Sequence, residues 1–276
     1  MTQSAEPLFH SPQIVVRASS LPGLFSCPAC WEAKHIRKIW MPESVSARIG
    51  TAIHAGTAAY DSAELGGTPI HIDEAVDAAI SALWEKRELV AWEDDLGPND
   101  AEPIVRKLVE LYCTAIAPKQ TYVAVELTCN RLDLTDLGIS LTGTIDRIRD
   151  TGFGYGITDL KTGKQAVSSD GVCKTQGHGA QLAVYELLAQ VSFGVEMTEP
   201  AQVVGLQVAK TPKGQRVATG EISGLRSILL DSEFDEPGLL TMAARLIHSG
   251  TFFGNPKAQF CGEKYCPIFN TCKWRK

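Results

Sequence analysis

Three cysteines crowd the end of the chain in CGEKYCPIFNTC, spaced Cys261-x4-Cys266-x5-Cys272. Zinc and iron–sulfur centres ordinarily take four protein ligands, and disulfides consume thiols in pairs. If these three thiols share one centre, a fourth must come from a distant segment, and the fold must bring the chain back to its own tail. SSLPGLFSCPAC, near the other end, offers Cys27 and Cys30. Closing a loop that long stabilises by roughly 5 kcal/mol in a chain-entropy account. Four thiolates suit a [4Fe–4S] cluster and also suit zinc. Zinc sites more often pair their ligands as C-x2-C, and only CPAC has that spacing. Cys113 and Cys129 read as buried apolar residues, and Cys173 as a plain loop thiol.

Eight cysteines point to thiols or metal ligands rather than disulfides if the protein is cytoplasmic. That compartment is the expectation, because MTQSAEPLFHSPQIVV lacks a basic stretch followed by an apolar one. No apolar run approaches the roughly 18 residues that span a bilayer. At 276 residues, 44% hydrophobic and 21% charged, the composition is that of an ordinary globular protein with ample core. The net charge of −6 argues against coating nucleic acid by bulk attraction. Contact with a polyanion would require a local basic groove or bound cations.

The pattern divides near Thr121. Before it, SSLPGLFSCPACWEAKHIRKIW reads as a turn and short helix. RIGTAIHAGTAAYDSAEL reads as a helix starting near Gly50-Thr51, with small residues that permit close packing. HIDEAVDAAISALWEKREL and AEPIVRKLVELYCTAIA carry apolar residues at three-and-four spacing and predict two amphipathic helices. From Thr121, TYVAVELTCNRLDL, ISLTGTIDRIRD and YGITDLKTG read as a three-stranded meander, with DTGFGYG as a hairpin turn. HGAQLAVYELLAQVSFG then reads as a helix, AQVVGLQVAK and GQRVATGEI as strands, and EPGLLTMAARLIHSG as a last helix. The expected architecture is an α/β sandwich around one mixed sheet. No linker divides it: the longest polar stretch, residues 92–100, lies between helices.

The hairpin carries the strongest chemical signal. With its turn between Gly152 and Phe153, Asp146 falls nearly opposite Asp159, where paired Cβ atoms are about 4.5–5.5 Å apart. Carboxylates that close repel unless something neutralises them. Hard oxygen donors suit Mg2+ or Mn2+. Lys161, two residues beyond Asp159, shares its face, where an ammonium can position a water or stabilise charge on a phosphate. The plainer alternative is a surface hairpin with a solvated Asp146–Lys161 pair. Gln181 and Tyr185 stand one helical turn apart and point the same way. His54, in GTAIHAG, is a nitrogen donor that could reach a shared metal.

In order, GTAIHAG, GTIDRI, TDLKTG, QLAVY and the terminal C-x4-C-x5-C resemble the RecB-family branch of the PD-(D/E)xK nucleases. The likeness is to its iron–sulfur members, such as the AddB nuclease domain, CRISPR adaptation nucleases and phage-encoded exonucleases. It covers roughly residues 20–274. It implies a single nuclease domain over residues 1–276, with a restriction-endonuclease-like mixed sheet flanked by helices. Within that domain, about 20–118 would be mostly helical, 119–250 the core, and 251–276 a cysteine-rich tail joined to the N-terminal cysteine. It further implies that His54, Asp146, Asp159 and the Leu160 carbonyl bind Mg2+ or Mn2+. Lys161 would be the catalytic lysine, oriented with the substrate phosphate by Gln181 and Tyr185. Glu126 stands where many relatives have an acid, though VAVELT also reads as an ordinary strand with one outward carboxylate. The likeness favours a [4Fe–4S] cluster on Cys27, Cys261, Cys266 and Cys272, with Cys30 the spare and zinc the other occupant.

The expected activity is that of an exonuclease, metal-dependent hydrolysis of DNA phosphodiesters on single-stranded DNA or duplex ends, in recombination, repair or end processing. A helicase or annealing protein is a conceivable partner. Lys161, Lys164, Lys174, Lys210 and Lys213 are candidates to line the DNA path. Two alternatives of other classes are a catalytically silent iron–sulfur DNA-binding module and an iron–sulfur redox or sensor protein. The complete acid, lysine and glutamine set weighs against the first, and the absence of a GxGxxG fingerprint against the second.

Overall fold

The fold was analysed in a computed structural model that describes residues 13–233 and 236–276. Residues 1–12, which include most of the stretch read above for a leader, lie outside the described residues. The chain opens with β1 (Ile14–Arg17), α1 (Leu21–Ser26) and α2 (Pro28–His35). Cys27 adopts an extended conformation, so it ends α1 and caps α2, whose first residue is Pro28. The two-residue β2 (Glu43–Ser44) leads into α3 (Val45–Leu65), α4 (Ile72–Trp84), β3 (Val90–Ala91) and α5 (Pro98–Ala115). β4 (Tyr122–Thr128), β5 (Leu132–Leu134), β6 (Ile139–Thr142), β7 (Thr144–Asp150) and β8 (Tyr155–Gly163) follow. The chain continues through α6 (Gly179–Ser192), β9 (Ala201–Gln207), β10 (Arg216–Ile222), α7 (Leu225–Leu229) and α8 (Leu239–Ser249). Among the described residues no helix is long and apolar enough to cross a membrane.

The main sheet has the order β10-β9-β8-β7-β4 and is mixed, with β8 and β9 parallel and the other neighbours antiparallel. A hairpin cannot join parallel neighbours, and α6 makes the crossover. One face packs on α3, α4 and α5 through Ile53, Ala79, Leu108, Leu160 and Val204. The other packs on α6 and its neighbours through Leu21, Ile145, Leu182, Val203 and Leu240. This is the expected mixed α/β architecture of a restriction-endonuclease-like fold, with every catalytic candidate near the middle strands.

Two local expectations are corrected. α3 begins at Val45 rather than at Gly50, because Ser44 caps it by accepting the Ala47 N–H at 3.2 Å. Gly50 and Gly56 instead serve as contact points within the helix. A Cβ on Gly50 would meet Thr162 Oγ1 at 2.7 Å, and one on Gly56 would meet Ala75 O at 2.6 Å and Ala79 Cβ at 2.7 Å. The predicted meander is also interrupted. β4 pairs directly with β7, while β5 and β6 leave to form a second sheet with β1, in the order β1-β6-β5. Gly143 makes the break between β6 and β7, where a side chain would strike Tyr185 Cε1 at 2.7 Å.

Gly56→Ala tests the α3–α4 contact. Overpacking against backbone should cost about 1–3 kcal/mol, read as a lowered denaturation midpoint at unchanged slope.

Candidate metal centre and basic groove

Three carboxylates stand in one row across three strands. Val125 and Leu127 pair with Arg147 and Ile145, which sets Glu126 opposite Asp146; Arg147 pairs with Thr158, so Asp159 lies on Asp146's other side. Asp146 Oδ2 accepts the Leu160 N–H at 2.7 Å, and Oδ1 lies 3.6 Å from His54 Nδ1. The other imidazole nitrogen, Nε2, is 3.2 Å from the Leu160 carbonyl oxygen. Ligand atoms of His54, Glu126 and Asp146 all fall within 4.8 Å of one another. Two carboxylate oxygens and an imidazole nitrogen that close form a donor set suited to Mn2+ or Mg2+. Glu126 is held in the left-handed region at φ 49, which costs a non-glycine residue about 1–3 kcal/mol and turns it out of the regular pleat. Burial and then the Asp146 charge push its carboxyl pKa up, against the opposing pull of Arg147 and His54.

Asp159 faces a different set of partners. Lys161 Nζ lies 2.7 Å from its Oδ2, and Gln181 Nε2 donates to its Oδ1 at 3.2 Å. Lys161 also donates to Gln181 Oε1 at 2.9 Å, and Gln181 Nε2 reaches the Tyr185 hydroxyl at 3.1 Å. Among the described residues Lys161 pairs with Asp159 and Gln181 rather than with Asp146, so the Asp146–Lys161 pair of the plainer sequence reading does not form. Burial raises Asp159 to about 6; Lys161 opposes that shift and Asp146 adds to it. Burial also pushes the Tyr185 hydroxyl well up, so it stays protonated. The predicted residues thus divide into two contiguous groups, His54–Asp146–Leu160 and Asp159–Lys161–Gln181–Tyr185. Glu126 joins the first, a place that register across β4 and β7 makes readable.

Behind the acidic row lies a residue that the sequence reading missed. Arg147 is fully buried, with Nε 2.7 Å from Asp61 Oδ2. Its Nη1 donates to Glu126 Oε1 at 3.1 Å and to the Asp146 carbonyl at 2.7 Å, and Nη2 donates to Thr57 at 3.3 Å. Tyr112 completes the shell by donating to Asp61 at 2.5 Å. One guanidinium therefore ties α3, α5, β4 and β7 together and fixes two members of the acidic row.

The cysteine-bearing ends also meet. A groove of about 880 Å³ is lined by Cys27, Cys30, Cys261, Cys266 and Cys272 and also by Lys161. Cys27 Sγ accepts the Asn255 N–H at 3.4 Å, while Cys30 lies against Cys266 and burial pushes its thiol up to about 12. Cys113 and Cys129 are buried as expected, but Cys173 is buried too, beside the Val203 carbonyl, and is not a loop thiol exposed to solvent. Of the five lysines considered for a DNA path, Lys161, Lys164 and Lys174 line the groove. Lys210 is turned to Asp95, and Lys213 is not among the lining residues.

Asp61→Ala leaves the buried Arg147 charge without its closest partner. It should destabilise the fold by about 3–5 kcal/mol in thermal or chemical unfolding.

No curated protein matches the sequence. Among solved structures the chain is similar to the crystal structure of SSO0001, at 15% identity and a TM-score of 0.41, covering 98% of this chain and 91% of that one. The family profile described as PD-(D/E)XK nuclease superfamily matches residues 18–273. That match spans every strand of the main sheet and all the cysteines that line the groove, and the chain belongs to the PD-(D/E)XK nuclease superfamily.

Proposed function

We propose that the protein is a Mg2+- or Mn2+-dependent deoxyribonuclease, built as one domain, that trims DNA from its ends in recombination, repair or end processing. The observation that carries the reading is the convergence of His54, Glu126 and Asp146 next to an ion-paired Lys161. His54, Asp146 and Asp159, with Glu126 and the Leu160 carbonyl, would hold the cation. When bound, a divalent ion supplies Lewis acidity at phosphorus and offsets charge on the leaving oxygen.

The chain's own residues set up the rest. Lys161 projects from β8 into the groove and is held by Asp159 and Gln181, so its ammonium is fixed where a phosphate oxygen or attacking water would lie. Gln181 is anchored in turn through its contact with Tyr185, so α6 positions the lysine without touching substrate. The Leu160 N–H bond to Asp146 holds that carboxylate toward His54.

The cysteine set is read as the ligand set of a [4Fe–4S] cluster, Cys27, Cys261, Cys266 and Cys272, which the fold gathers along one groove; zinc is the other occupant that four thiolates suit. Cys27 ends α1 with its sulfur already accepting a backbone N–H, whereas Cys30 lies one helical turn on as the spare. The cluster's role in this reading is to staple the chain's two ends.

End-labelled linear and circular DNA incubated with Mg2+ or Mn2+ tests the activity. Linear DNA should be digested and circles spared, and Asp159→Ala and Lys161→Ala should each lower the rate at least about a hundredfold. Activity equal to wild type in both variants overturns the mechanism. Protein purified anaerobically should contain iron and labile sulfide, retained in Cys30→Ala and lost in Cys27→Ala. Zinc without iron overturns the cluster assignment.

A further inference from the structure

A guanidinium carries its N–H donors in a planar fork, and those of Arg147 reach α3, β4 and the backbone of its own strand. Nε takes Asp61, Nη1 takes Glu126 and the Asp146 carbonyl, and Nη2 takes Thr57. The two carboxylates it touches are not equivalent. Asp61 lies 2.7 Å away with its side chain 2% exposed, and it also accepts from Tyr112. Glu126 lies 3.1 Å away with its side chain 41% exposed, and Arg147 engages only its Oε1. A pair that is both closer and drier is the stronger one. Asp61 therefore takes up most of the guanidinium charge, and Glu126 is held in place more than it is neutralised.

Holding is what Glu126 needs. Its backbone lies at φ 49, a conformation that a non-glycine residue keeps only where its surroundings impose it. Among the described residues its one hydrogen-bonded side-chain partner is Arg147. A glutamate released from that contact would relax into the ordinary pleat and carry its carboxylate away from the site. We propose that Arg147 is a positioning residue for the cation. It clamps Glu126 in its strained place near Asp146 and His54, so that the donors converge before an ion arrives. Asp61 absorbs the guanidinium charge, so that the clamp does not cancel the attraction. This rests on the metal-dependent reading and deepens it, by assigning the preorganisation of the site to a buried side chain behind the row of donors. Lysine would not serve, because a single ammonium cannot span Asp61, Glu126 and Thr57 at once.

Mn2+ binding is measured without DNA, from loss of the electron paramagnetic resonance signal of the free aqueous ion, so that affinity is read apart from cleavage. Arg147→Lys should weaken binding by at least about tenfold, the usual cost of losing a partner that orients a metal ligand. Glu126→Gln should weaken it by about the same factor. The double variant R147K/E126Q should bind within about twofold of Arg147→Lys alone, because a carboxylate already out of place has nothing further to lose. Thr57→Val keeps its shape and deletes only the Nη2 acceptor; it should weaken binding about threefold, and it carries the test if Arg147→Lys does not fold. Tyr112→Phe loosens Asp61 without touching Glu126. It should lower the denaturation midpoint and leave Mn2+ affinity within about twofold of wild type. Wild-type affinity in Arg147→Lys and Thr57→Val, losses that multiply in the double variant, or a loss in Tyr112→Phe equal to that in Arg147→Lys overturns the proposal. Mn2+ held in the predicted order of affinities, with no DNA cleaved, would sustain the positioning role while removing the nuclease reading. A wild-type protein that binds no Mn2+ removes both.

Discussion

Like charges packed in a row are the constraint from which the rest of this structure follows. Glu126, Asp146 and Asp159 lie on adjacent strands, at a spacing where carboxylates repel. The protein relieves that repulsion from two sides. Arg147, fully buried, hydrogen-bonds Glu126 and the Asp146 carbonyl from behind, and Lys161 neutralises Asp159 from the groove. His54, Glu126 and Asp146 then present two carboxylates and an imidazole whose ligand atoms lie within 4.8 Å of one another. Such an arrangement is costly in a stability-driven core and useful where an external cation completes it.

The helical layer and the sheet depend on the same point. Asp61 and Thr57 on α3 and Tyr112 on α5 exist in this arrangement to satisfy a guanidinium that originates on β7. The close approach of α3 to α4 at Gly56 keeps that layer compact, and the one at Gly50 brings α3 against the end of β8. His54, between those glycines, is thereby delivered to the Leu160 carbonyl. Packing at a helix crossing, rather than any local preference of histidine, determines whether the imidazole reaches the acids.

Much of this was readable from sequence where the chemistry is local. Strand parity and a turn at Gly152-Phe153 sufficed to set Asp146 beside Asp159, and helical spacing put Tyr185 on the face of Gln181. Arg147 and Asp61 were not legible: they are 86 residues apart, and a buried ion pair leaves no periodic trace. Glu126 was undervalued because its strand alternates irregularly, and the left-handed backbone there is a tertiary feature. The excursion of β5 and β6 was missed because β1, their partner sheet's other strand, lies far back in the chain. Lys34 and Arg275, from opposite ends of the chain, share the groove with Lys161, Lys164 and Lys174, a juxtaposition that only the tertiary fold makes.

Cys27 and the tail cysteines line one groove together with Phe260, Tyr265, Arg275 and Lys161, so the contact that brings the two ends of the fold together also shapes the surroundings of that lysine. Crystals grown with Mn2+ and measured for anomalous scattering test the central claim most directly. A peak bonded to His54, Glu126 and Asp146 is the predicted result. Full Mn2+ occupancy elsewhere, with these three side chains facing apart and no peak between them, would contradict it.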